Sequence, residues 1–336
     1  MQLCVTVVGG GIVGLWQALA MALRGHRVTL REAACETATG AASRFAGAML
    51  APYCEAEASE PLILELGLRS LQIWRAAELA VHWRGTLVVA HPRDAGELER
   101  FGRLTVGHRP LDEAGIARTE ETLSQHFKCG LLFEAEGHVQ PRTMLASLVG
   151  RLRECGVDVR FESPVPDPIW TAASAGDVVI DCRGIAARRD VERLRGVRGE
   201  MAVVEARSVE ISRPVRLLHP RFPVYVVPWG CGRYMVGATS IESEYAGPVT
   251  VKSAIDLLAS AAALNPGFRD ARIVEMSTGI RPAFVDNVPR ILSRGRRLIV
   301  NGTYRHGFLL APILAQFVAD HLETGRPLPD ALVRAT

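Results

Sequence analysis

Three glycines near the start of the chain have the spacing needed to hold a phosphate. Gly9, Gly11 and Gly14 fit Gly-x-Gly-x-x-Gly, and an acid, Glu32, closes the next apolar run, Val28-Thr29-Leu30. Each part answers a need of dinucleotide binding. Gly9 permits a tight turn, Gly11 lets backbone approach a pyrophosphate, and Gly14 allows a helix to pack closely on a sheet. Ile12 and Val13 begin that helix, whose N–H groups and positive dipole end attract phosphates, and Glu32 is placed to accept hydrogen bonds from a ribose. A second glycine turn lies near the other end, in Gly302-Thr-Tyr-Arg-His-Gly307, and an apolar helical run follows it from Phe308.

The first motif needs a strand, a turn and a helix in immediate succession. Leu3 to Val8 is an apolar run, Ile12 to about Arg24 has one apolar face, and Gly25 is a favoured residue just past a helix end. His26 to Glu32 then forms a second strand beside the first. The stretch Thr39 to Pro52 is rich in Gly, Ala and Ser, residues small enough to lie against a ligand.

Further along, Glu60 to Val81 reads as a long helix, Gly85 to Ala90 as a strand, and Asp94 to Gln125 as helical with breaks at Gly102 and Pro110. Leu131 to Phe133 and Val157 to Phe161 read as strands around a helix from Arg142 to Glu154. Asp177 to Gly184 has the continuous apolar character of a buried parallel strand. Runs at Glu200–Glu205, Val215–Leu218, Tyr225–Val227 and Tyr234–Gly237 read as antiparallel sheet. A helix at Ser253–Ala263, strands at Ile273–Ile280 and Leu298–Asn301, and a helix at Phe308–Leu322 complete the chain. This order predicts an α/β, or α+β, protein of two interleaved domains.

Composition excludes several classes. The 336 residues are 48% hydrophobic and 22% charged, as in a globular protein, and the net charge of +3 is spread without a basic block, so neither nucleic acid nor an anionic membrane is expected as a partner. Seven cysteines without a Cys-x-x-Cys pair argue against a disulfide framework or a zinc site and favour a reducing cytoplasm. Val5 to Leu23 is apolar, but without a basic leader and with glycines at phosphate-loop positions it is not expected to be a targeting segment or membrane anchor.

Four stretches together resemble one family, the flavin-dependent amine and amino-acid oxidases that include D-amino-acid oxidase, sarcosine oxidase and glycine oxidase. They are the fingerprint, Phe45-Ala-Gly-Ala-Met-Leu-Ala-Pro52, the pair Tyr225-Val-Val-Pro228 with Gly232-Arg-Tyr-Met-Val-Gly-Ala-Thr239, and Gly279-Ile-Arg-Pro282 leading to Asn301-Gly-Thr-Tyr-Arg-His-Gly-Phe-Leu-Leu-Ala-Pro312. Within the family the likeness is greatest to the glycine oxidases of thiamin thiazole biosynthesis. It implies a glutathione-reductase-type FAD-binding Rossmann domain (residues 1–82, 138–198 and 272–336) and an antiparallel-sheet substrate domain (83–137 and 199–271).

The resemblance also implies roles. Arg281 matches the arginine that grips the substrate carboxylate, and Tyr225 the tyrosine whose hydroxyl shares it. Arg305 and Met49 match residues at the flavin and substrate site. Ser43, Ala46, Gly47, Gly184, Gly302, Tyr304, Arg305, His306, Gly307 and Phe308 join Gly9 to Gly14 and Glu32 along the cofactor, where N–H groups at the last helix start would stabilise negative charge on reduced flavin. His306 and His138 are weak candidates for a base, because hydride transfer from an amino-acid Cα needs orientation more than a protein base.

Two features depart from relatives. Trp229-Gly-Cys-Gly232 stands where a basic residue is common, and no cysteine follows Cys231. With no histidine in the small-residue loop either, FAD is expected to be non-covalent. The expected reaction oxidises glycine, with sarcosine or small D-amino acids as further substrates, and passes electrons to oxygen. A homo-oligomer and hand-off of the product to thiazole synthase are implied as well. A dehydrogenase using another acceptor and a non-catalytic FAD- or NAD-binding protein are the alternatives.

Overall fold

In the computed structural model, which describes residues 2–36, 40–165, 178–220 and 223–333, the opening run forms β1 (Cys4–Val8), α1 (Ile12–Leu23) and β2 (Arg27–Arg31). Thr39 and Asp177, the first residues of two stretches singled out above, lie outside the described residues. The small-residue stretch leads into β3 (Met49–Leu50) and α2 (Pro52–Glu55), then α3 (Pro61–Ala76) and β4 (Thr86–Ala90). Next come α4 (Ala95–Leu104), β5 (Arg109–Asp112), α5 (Glu113–Thr119), β6 (Cys129–Phe133) and β7 (Gly137–His138). The chain continues through α6 (Pro141–Glu154), β8 (Asp158–Arg160), β9 (Val178–Asp181), β10 (Arg195–Glu205) and β11 (Val215–Leu218). It ends with β12 (Val224–Gly230), β13 (Arg233–Gly237), α7 (Val251–Leu264), β14 (Arg272–Ala283), β15 (Arg290–Arg294), β16 (Arg297–Asn301), α8 (Gly307–Thr324) and α9 (Asp330–Val333).

Two large sheets result. The first has six strands in the order β15-β16-β9-β1-β2-β8, parallel except for the β15–β16 edge pair. Its central strands β1 and β9 pair in register Val5↔Val178 to Val8↔Asp181, and β9 is buried along its whole length, as a strand covered on both faces must be. Helices α1, α3, α6 and α8 bury their apolar faces in one core with this sheet.

The second sheet has eight strands in the order β14-β10-β13-β12-β11-β4-β6-β5. It is antiparallel apart from the β11–β4 pair, which runs parallel and departs from the antiparallel expectation. Its strand β14 falls in the segment expected to belong with the nucleotide domain from residue 272, yet it pairs with β10 from Arg195↔Ala283 to Glu205↔Arg272. That segment is therefore shared between the two sheets.

Local chemistry explains other differences. The helix expected over Asp94–Gln125 divides because Gly107 takes φ +77° and Pro110 has no N–H; Pro110 is tolerated in β5, which is the edge of its sheet. The helix expected to reach Val81 ends at Ala76, and Glu78 turns the chain with φ +53°. Inside α8, Pro312 cannot donate to the carbonyl of Phe308. Trp74 Nε1 from α3 donates to that oxygen instead, at 3.0 Å, so the packing of α3 on α8 repairs the missing bond.

Candidate active site

The two glycine turns meet. A Cβ placed on Gly307 would lie 3.4 Å from Ile12 Cγ2, so the starts of α1 and α8 stand side by side. Neither helix has a side-chain hydrogen bond at its N-cap, Gly11 or His306, and neither carries an acid in its first turn. Both open into a cavity of about 590 Å³ that reaches from Arg31 and Glu32 to Tyr225 and Arg281.

Within this cavity, Gly9, Gly11, Ile12, Val13 and Ser43 line one part together with Glu32. Gly9 has φ +106° and its Hα side lies against the Cys182 carbonyl, where a Cβ would approach to 2.5 Å. Gly14 does not line the cavity. It backs the turn, with space for no side chain, since a Cβ would fall 1.8 Å from the Gly9 oxygen. Ser43 Oγ accepts from Ile12 N at 3.1 Å, and Glu32 accepts from the backbone N–H groups of Gly10 and Ala34, which fixes its carboxylate at the end of β2.

Ala46, Gly47, Gly184, Tyr304, His306 and Phe308 line the cavity, and Gly302 shapes the turn from behind. A Cβ on Gly302, at φ +77°, would lie 2.2 Å from the Phe284 ring. Tyr304 N donates to Pro282 O at 2.8 Å and its hydroxyl lies 2.9 Å from Ser240 Oγ, so the second turn is tied to the eight-stranded sheet.

At the other end, Tyr225, Met49, Arg281 and Arg305 come together, and glycines make room for two of them. Gly199 on β10 lies beneath Arg281: a Cβ there would be 2.3 Å from Nη2. Arg281 Nη1 donates to Thr239 O at 3.0 Å. Gly47 likewise lies against the Tyr225 ring, 2.7 Å from Cε2 at the Cβ position. Burial raises the Tyr225 pKa against the opposing pull of Arg281, so the phenol stays protonated and can donate. Met49 packs with Phe45 and Tyr225 on a cluster of Met201, Val203, Val227 and Met235.

Glu55, which sequence reading did not single out, also lines the cavity. Its Oε2 lies 2.7 Å from Arg305 Nε and 3.8 Å from His306 Nδ1. Burial works to raise its pKa, but Arg305, His306, Arg216 and Arg281 together outweigh that and hold the carboxyl below its ordinary value. The only signal in the sequence was an acid a few residues beyond Met49. Arg216 from β11 donates to Cys54 O at 3.1 Å and to Glu57 at 3.1 Å, which secures the end of α2 that presents Glu55.

The histidines are poor bases. Burial pushes His306 down to about 4, with its Nε2 3.2 Å from Ser59 Oγ. His138 is pushed down to about 3 by burial and stacks on His82 outside the cavity lining. Trp229 packs beside Met201 and under the Arg142 guanidinium, 5.0 Å from its ring, and is not part of the cavity lining.

Residues 4–321 match the family of FAD dependent oxidoreductases. The chain belongs to that family. This oxidoreductase is 47% identical over 331 residues to a Rhizobium etli protein assigned as the thiamine biosynthesis oxidoreductase ThiO, covering 97% of this chain and 98% of that one. Glycine oxidase of Geobacillus kaustophilus is 28% identical over 352 residues, with 95% and 92% covered. A crystal structure of glycine oxidase from Geobacillus kaustophilus shares the fold at a TM-score of 0.83 and 24% identity, covering 100% of this chain and 99% of that one. The bifunctional protein ThiO/ThiG of Trichormus variabilis is 24% identical over 350 residues, which are 95% of this chain and 52% of that protein.

FAD is the cofactor, and the residues present fit it. The glycine cradle leaves room for a pyrophosphate, Glu32 is fixed at the end of β2 where a ribose would lie, and the start of α8, without a capping side chain, lines the same cavity as Arg281 and Tyr225. Among the described residues, no helix is long and apolar enough to cross a membrane.

Proposed function

We propose that this chain oxidises glycine, and also sarcosine and small D-amino acids, to the imine, which hydrolyses to a 2-oxo acid and ammonia, or methylamine where the substrate is sarcosine. Oxygen is the electron acceptor and hydrogen peroxide the second product. The observation that carries this reading is the Arg281–Tyr225 pair, each seated on a glycine, at the far end of a cavity that begins with a dinucleotide cradle. FAD, held non-covalently, supplies the hydride acceptor.

The residues do the positioning. Arg281, steadied by Thr239 O, offers a planar fork to one carboxylate, and the protonated Tyr225 hydroxyl adds a donor. Met49 and its neighbours close the apolar side and limit the size of the substrate. Gly302, Tyr304, Arg305, His306 and Gly307 present the start of α8, whose N–H groups and dipole favour negative charge on the reduced cofactor. His306 is neutral at neutral pH and serves as part of the wall.

The likeness to a thiamine biosynthesis oxidoreductase and to bifunctional ThiO/ThiG proteins supports passing the product to thiazole synthase. The free thiols of Cys54, Cys129, Cys155, Cys182 and Cys231 support a cytoplasmic setting, and a homo-oligomer is consistent with the family resemblance. The reading divides the chain into a nucleotide domain (1–82, 138–198, 272–336) and a substrate domain (83–137, 199–271), with β14 as the shared element.

The test is anaerobic addition of glycine, sarcosine and D-alanine to the purified yellow protein. Bleaching by glycine, with peroxide formed in air, is expected. Bleaching without peroxide points to a dehydrogenase, and no bleaching by any of the three overturns the amine reading.

A further inference from the structure

The cavity holds two arginines at its substrate end, and among the described residues only one of them is paired with an acid. Arg281 donates to a backbone carbonyl, whereas Arg305 lies 2.7 Å from the Glu55 carboxylate. The side chains of Arg305 and Glu55 keep only 31% and 16% of their surface exposed, so solvent screens this pair weakly. The contact is an ion pair without hydrogen-bond alignment: Glu55 Oε2 is buried and receives no aligned donor among the described residues. Glu55 thus directs its charge to Arg305 and, like Arg305, lines the same cavity that Arg281 serves.

An unpaired guanidinium in a half-buried cavity is a bidentate carboxylate site. Two such sites would accept molecules bearing two carboxylates. We propose that Glu55 restricts this cavity to monocarboxylates, by neutralising Arg305 and repelling a second carboxylate, so that Arg281 alone anchors the substrate. This deepens the amino-acid reading and rests on Arg281 as its carboxylate anchor. Glu55 acts here on specificity; no step of the oxidation passes through it.

The experiment titrates the FAD-loaded enzyme with acetate, malonate and succinate and reads the perturbation of the flavin absorption bands, which needs no turnover. Wild type is expected to favour acetate. In Glu55→Gln the affinity for at least one dicarboxylate, relative to acetate, rises by about tenfold. Glu55→Asp, which keeps the charge but shortens its reach, shifts the ratio the same way by less, and serves if the first variant does not fold. Adding Arg305→Met to Glu55→Gln returns the ratio to the wild-type value. An unchanged ratio in both single variants overturns the proposal, as does a gain that survives loss of Arg305. Failure of the amine reading shows separately, as an enzyme that binds acetate but is bleached by no amine.

Discussion

Arg281 and Gly199 form one functional unit although they are far apart in sequence. The guanidinium occupies the volume that a side chain on Gly199 would fill, with Nη2 2.3 Å from the Cβ position, and Thr239 O steadies Nη1. Arg281→Ala should therefore raise KM for glycine by about 10- to 100-fold, the value of a charge-assisted pair, with FAD content unchanged. Arg281→Lys should lose much of this too, because an ammonium lacks the planar fork. Gly199→Ala makes the more discriminating test, since it leaves Arg281 in place but pushes it aside. It is expected to raise KM by about tenfold with little change in kcat or bound FAD, read from steady-state kinetics and the absorption spectrum. Wild-type KM in Gly199→Ala would show that the guanidinium has room elsewhere. Arg281 and Tyr225 were readable from their motifs. Gly199, Thr239 and Glu55 were not, because each acquires its role from a neighbour on a different strand or helix.

At the level of elements, the two helix starts act as a pair. α1 presents the phosphate cradle and α8 the second turn, and they touch through Ile12 and Gly307. This arrangement tolerates no side chain at Gly14, where a Cβ would meet the Gly9 carbonyl at 1.8 Å and backbone has no rotamer to yield. Gly14→Ala should shift α1 off the turn, so the purified protein should be largely colourless and regain FAD poorly on titration; a fully loaded yellow variant would refute this account. Element types were legible where apolar periodicity was strong, as in β1, α1, β9 and α8. They were not legible at β5 and β15, two short edge strands whose partners β6 and β16 select them. Nor does any local pattern reveal that Trp74 completes the hydrogen bond Pro312 cannot make.

Across the whole molecule, burial sets how stability depends on pH. His306 and His138 lie at about 4 and about 3, below their ordinary 6.5. The unfolded chain therefore binds more protons below 6.5, and stability is lost as pH falls through that window. Glu136 is fully buried, accepts from Cys54 N at 2.8 Å, and is pushed up to about 8 from 4.5 by burial. Here the folded state holds the extra proton, so stability falls as pH rises from 4.5 to 8, at about 1.4 kcal/mol per unit. The thermal midpoint of the holoenzyme should peak near pH 6.5, and Glu136→Gln should flatten the alkaline fall; an unchanged alkaline limb would assign it to other groups. From the sequence alone one could determine the glycine turn that opens the chain, the α/β class and the family, and could single out Arg281 and Tyr225 as a pair. Those depend on spacing along the chain and on backbone preferences that act over a few residues. Only the tertiary structure decided that β14 joins the eight-stranded sheet, that Gly199 makes room for Arg281, and that Glu55 pairs with Arg305. These depend on which distant residues share a buried volume, and on the weak screening of charge there.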